Sequence, residues 1–99
     1  MNQNLYAQSN SDIIKSLGLR FKEYRRRLGL SQKDIAEQTG LSIFTISTFE
    51  SGKATGITLI SFIKLLRAIE ELEQTEAILP ELPQSAAELY RIQQRQSKR

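Results

Sequence analysis

Between Gln32 and Ser51 the chain reads QKDIAEQTGLSIFTISTFES, a stretch that no single continuous element accommodates. Gly40 interrupts it, and a tight turn between two helices needs a residue tolerant of positive φ at that point. Before the turn, Ser31-Gln32-Lys33-Asp34 fits a capping box, with Ser31 capping and Asp34 at the third helical position. After the turn, Ser42 is placed to cap a second short helix that ends by Gly52. Two short helices on so tight a turn must cross steeply. Ala36 supplies the small residue that the crossing needs. Ile35, Leu41, Ile46 and Phe49 are apolar where the pair would meet the rest of a core. Each feature is weak alone, but at these fixed offsets they act as one motif.

The flanks read as further helices. Residues 1–10 are polar and aperiodic apart from Leu5 and Tyr6, and are predicted to be an N-terminal tail. Ser9-Asn10-Ser11-Asp12 offers several N-caps. Ile14, Leu17, Phe21, Tyr24 and Leu28 then recur at helical spacing, until Gly29 stops the pattern. Thr58 can cap a helix carrying Leu59, Ile60, Phe62, Ile63, Leu65, Leu66 and Ile69. That helix is apolar over more than one face, so it is central or also packs against a partner. Glu70 to Leu79 reads as a short acidic fifth helix, broken by Pro80 and Pro83. Ser85 to Tyr90 could start one more helical segment, and the chain beyond Gln93 is expected to fray. No strand pattern stands out. The expectation is an all-α protein: a compact four- to five-helix bundle over residues 11–78, with flexible N- and C-terminal tails at 1–10 and 79–99. The second tail is a candidate partner-binding segment.

Composition narrows the chemistry. The chain has 99 residues, enough for one domain, and contains no Cys and no His. That removes disulfides, thiolate nucleophiles, the usual zinc ligands and the commonest general base. An enzyme is not expected, and neither a metal nor a cofactor is. The apolar runs fall far short of the roughly 20 residues that span a bilayer, and no signal-peptide pattern opens the chain. A soluble, cytosolic binding domain is the expectation, with no membrane partner. The net charge of +3 is unevenly spread. Lys15, Arg20, Lys22, Arg25, Arg26, Arg27, Lys33 and Lys53 outnumber Glu23, Asp34, Glu37 and Glu50 over residues 15–53. Residues 68–90 hold Glu70, Glu71, Glu73, Glu76, Glu81 and Glu88 with no base, and Arg91, Arg95, Lys98 and Arg99 follow. A basic block beside a folded core fits a polyanion, and it equally fits a solvated helix face.

Leu30-Ser31-Gln32, Ile35-Ala36, Gly40-Leu41-Ser42, Ile46 and Phe49-Glu50-Ser51-Gly52-Lys53 give residues 17–69 a resemblance to the phage-repressor-type helix-turn-helix domain of the Cro and XRE family. The resemblance implies a compact helical bundle that binds double-stranded operator DNA as a homodimer, with its second motif helix in the major groove. It places Ile43, Phe44, Ser47 and Thr48 at base-facing positions, outward if Ile46 and Phe49 point inward. Ile43 and Phe44 can touch thymine methyls but make no bidentate hydrogen bonds. Packing against a neighbouring helix or a partner is the other reading of both. Gln32, Lys33, Ser42 and Lys53 match phosphate-contacting positions, Ser42 doubling as an N-cap. Arg25 and Glu50 resemble a buried structural ion pair, while Arg20, Lys22, Arg26 and Arg27 are left as contributors to the field.

The stretch Ile78-Leu79-Pro80-Glu81-Leu82-Pro83-Gln84-Ser85, with Leu89-Tyr90-Arg91 and Thr55-Gly56-Ile57-Thr58-Leu59, resembles HipB-like antitoxins, whose partners are HipA-type serine/threonine kinase toxins. That resemblance implies an antitoxin in a bacterial cytosol, repressing its own toxin–antitoxin operon. The alternatives are a free-standing phage- or plasmid-type repressor and a protein–protein module that has lost DNA binding.

Overall fold

The computed structural model describes residues 4–97, and these hold helices and connections without a strand. A 3-10 turn at Leu5–Ala7 precedes α1 (Asn10–Arg27), α2 (Gln32–Thr39), α3 (Ile43–Ser51) and α4 (Leu59–Ala68). A second 3-10 turn at Leu72–Gln74 leads into α5 (Thr75–Ile78), and α6 (Gln84–Ser97) follows. The protein is all-α.

Four helices start in the same way. The hydroxyls of Ser9, Ser31, Ser42 and Thr58 accept the N–H three residues on, at 3.0–3.1 Å, and so satisfy a donor that the helix cannot. At Ser31 the box is reciprocal: its own N–H donates to the Asp34 carboxylate at 2.8 Å. The ends are equally local. Gly40 takes a φ of 79° and donates its N–H to the Ala36 carbonyl, which closes α2 and turns the chain into α3.

Two elements differ from the sequence reading. Glu70, expected inside a fifth helix, instead closes α4 with a φ of 61°. Its N–H bonds the Arg67 carbonyl and that of Glu71 bonds Leu66, a Schellman ending. The acidic helix is thereby reduced to one 3-10 turn and the four residues of α5. The tail from Leu79 contains a regular helix, and α6 runs on past Gln93, where composition suggested fraying. Gln, Arg and Glu are good helix formers, so their polarity does not stop a helix.

The core is Phe21 of α1, Ile35 of α2, Ile46 and Phe49 of α3, and Leu65, Leu66 and Ile69 at the end of α4. Phe49 sits at its centre, tilted against Phe21 at 6.0 Å and edge-on to Phe62 at 6.1 Å. Tyr24 and Leu28, the last members of the α1 stripe, stay exposed. Gly18 is buried where α1 crosses α3; a Cβ there would collide with the Phe49 carbonyl oxygen. No helix among the described residues is long and apolar enough to cross a membrane.

Candidate nucleic-acid interface

The inward side of α3 is fixed by Ile46, Phe49 and Glu50, all buried. At 100° per residue, the opposite side carries Phe44, Thr48 and Ser51, with Ser47 and Ile43 toward one flank. Phe44 is 75% exposed and Ile43 47%, and Ser47 and Thr48 are half-buried. Ser51 was not among the residues singled out from sequence, although it is exposed on the same side. Its signal was its spacing of seven from Phe44 and three from Thr48.

The Thr48 hydroxyl donates to the Phe44 carbonyl at 2.8 Å. What it presents outward is therefore a methyl group and an acceptor oxygen. Ser42 uses both capacities locally, accepting from the Thr45 N–H and donating to the Thr45 hydroxyl at 2.9 Å. Its cap function is plain in this geometry. Lys33 and Lys53 are exposed at the start of α2 and just beyond α3. Gln32 is half-buried, and its amide donates to Glu50 Oε1 at 3.0 Å.

That contact belongs to a network joining three helices. Arg25 of α1 grips Glu50 with two bonds, Nε to Oε2 at 2.7 Å and Nη2 to Oε1 at 2.8 Å. Its third nitrogen, Nη1, donates to the Leu30 carbonyl at 2.8 Å, in the loop before α2. The hydrogen bond and charge of Glu50 raise the Arg25 pKa above its ordinary value, against the opposing effect of burial. No buried side-chain polar atom among the described residues lacks a partner. The network fixes the start of α2 relative to the end of α3, which sets the spacing between Gln32, Lys33 and Lys53. Gly18 against Phe49 and Lys15 beside Gly52 complete the seat of α3 on α1.

No cluster of three or more metal-ligating side chains occurs among the described residues. The surface so built is an amphipathic helix held proud of a rigid frame, flanked by the N-terminus of α2 and by two lysines. Such a surface suits a polyanion with a groove wide enough for one helix. A family model described as a helix-turn-helix domain matches residues 18–79, more than half of the chain. No curated protein matches the chain at a significant level.

Proposed function

The chain belongs to the helix-turn-helix domain family and is a DNA-binding regulator of that kind; on that premise we propose that it is a sequence-specific repressor that binds its operator as a homodimer. The exposed face of α3 carries this reading, because 75% exposure of Phe44 has no use in a monomer's own core. Phe44 and Ile43 lie against thymine methyls, while Ser47, Thr48 and Ser51 offer short hydroxyls to base edges. Lys33, Lys53 and the open N–H groups at the start of α2 lie against phosphates and set the register. Gln32 acts chiefly from beneath, holding Glu50, and Ser42 acts as a cap that orients α3.

The finer role is that of an antitoxin that represses an operon shared with a HipA-type kinase toxin. It rests on the resemblance of residues 78–91, and co-purification from the native operon tests it. DNA binding itself is tested by titrating the chain against its own promoter and against scrambled duplex at two salt concentrations. Preference for the promoter supports the reading. Equal affinity for both duplexes, or affinity indifferent to salt, overturns it.

A further inference from the structure

The outward side of α3 is poor in hydrogen-bond donors. Over Ile43–Ser51 the helix has no Asn, Gln, Lys or Arg, and its one ionisable residue, Glu50, is buried. Thr48 commits its hydroxyl proton to the carbonyls of Phe44, at 2.8 Å, and Thr45, at 3.3 Å. Ser51 donates to the Thr48 carbonyl at 3.3 Å, and its oxygen accepts the Lys53 N–H at 3.4 Å. Gln32, at the start of α2, gives its amide to Glu50, so that amide is not free to form a bidentate pair with a base. Ser47 alone on this side keeps a hydroxyl without a partner among the described residues. What the helix does offer outward is Phe44, 75% exposed, with Ile43 beside it at 47%.

Such a face senses one difference between base pairs. In the major groove an A·T pair presents two acceptors, one donor and a methyl group. A G·C pair presents two acceptors and one donor without the methyl group. The polar groups differ in their order, not in their number. Order is read by paired donors and acceptors at fixed spacing, as on Arg, Asn or Gln, whereas a single hydroxyl serves either kind of group. The oxygens of Thr48 and Ser51 accept equally from the amine of adenine or of cytosine. That leaves the methyl group.

We propose that α3 reads the C5-methyl group of a pyrimidine and not the base pair that carries it. Thymine and 5-methylcytosine carry that group on the same ring carbon, so they are equivalent beneath Phe44 and Ile43. Uracil and unmodified cytosine are equivalently poor. Operator affinity therefore rises where a cytosine under this face is methylated at C5. Burying one methyl group against an apolar side chain corresponds to about fourfold in affinity.

Because the reader is α3 in the major groove, the rule rests on the DNA-binding reading of that helix, and the test separates the two. The probe is the promoter duplex that the chain protects, titrated by fluorescence anisotropy. Uracil first replaces thymine at one position at a time. At the contacted thymines the expected loss is about fourfold each. At such a position the T·A pair is then exchanged for C·G and for 5-methylcytosine·G. The C·G duplex should lose at least as much, and the methylated one should recover most of the loss. With Ile43→Ala and Phe44→Ala together, the thymine and uracil duplexes should bind alike. Both residues are exposed, so helical circular dichroism should stay near that of the parent. The duplex series is read on the parent chain and decides even where that variant folds poorly. Promoter preference that survives uracil at every position overturns the proposal and leaves the DNA-binding reading standing. So does a 5-methylcytosine duplex that binds no better than its cytosine counterpart, or a thymine–uracil difference that persists in a folded double variant. Absence of promoter preference in the unmodified duplex overturns the DNA-binding reading, and the methyl rule with it.

Discussion

Glu50 is 2% exposed; one arginine balances its charge and one amide donates a further hydrogen bond to it. Removing only one partner strands a charge in the interior. Arg25→Ala should therefore destabilise the protein by about 3–5 kcal/mol, whereas Arg25→Met with Glu50→Leu should recover much of the loss. Chemical denaturation of the three proteins checks both statements. Asp34 is a milder case. The Ser31 N–H donates to its carboxylate, the Ser31 hydroxyl contributes next, and nearby Lys33 adds to both, so its pKa lies below the ordinary aspartate value. A carboxylate with a folded pKa below its unfolded one stabilises the fold fully above the unfolded value. That contribution disappears as pH falls through the lowered value. Asp34→Asn should flatten that part of the acid limb, and a carboxyl NMR titration should place the midpoint below that of a free aspartate. At Gly18 the limit is space. Alanine favours a helix by up to about 1 kcal/mol, but here its methyl group would force α1 off the Phe49 carbonyl. Overpacking of this sort costs about 1–3 kcal/mol, so Gly18→Ala should lower the thermal midpoint.

At the scale of elements, the turn between α2 and α3 depends on one backbone conformation. Gly40 has φ 79° and open space around its missing Cβ, so a substitution there is strained without being crowded. Gly40→Val should cost about 1–3 kcal/mol, and Gly40→Asn much less, because asparagine tolerates the left-handed region. Thermal unfolding separates the two. This turn was legible in the sequence, as were the caps at Ser31, Ser42 and Thr58, because a cap is decided by atoms within three residues. The inward side of α3 was legible from the spacing of Ile46 and Phe49. What sequence could not supply was placement between elements. The Gly18 contact depends on where α3 lies. The pull of Gln32 toward Glu50 depends on a carboxylate eighteen positions away. The turn of the Thr48 hydroxyl onto its own helix is a rotamer choice that spacing does not reveal. That hydroxyl leaves Phe44 as the more telling residue of the face. Phe44→Ala should reduce operator affinity by about 1 kcal/mol or less, with little change on random DNA and a shift in stability of no more than about 0.5 kcal/mol. If it melts the fold while operator preference survives, the residue packs rather than reads.

Over the whole molecule, charge is segregated. Residues 15–53 are basic, residues 68–90 purely acidic among ionisable side chains, and the last stretch is basic again. An acidic belt repels a polyanion, so DNA should meet the protein over a restricted surface rather than all round it. The proposed phosphate contacts include only two full charges per copy, Lys33 and Lys53; the N–H groups at the start of α2 are neutral. Each neutralised phosphate contributes about −0.9 to the slope of log affinity against log salt. The expected slope is thus about −2 per copy and about −4 for a dimer on a two-fold site. Lys53→Ala should make the dimer's slope shallower by about 2, one for each copy, and weaken operator and random DNA alike. Fluorescence anisotropy across a salt series reads both quantities from one set of titrations. A much steeper slope would mean that cations of α1 such as Lys22 and Arg26 also reach the phosphates. The surface would then be wider than α2 and α3 alone. A slope near zero with affinity intact would overturn the DNA-binding reading itself, and with it the role assigned to the two lysines.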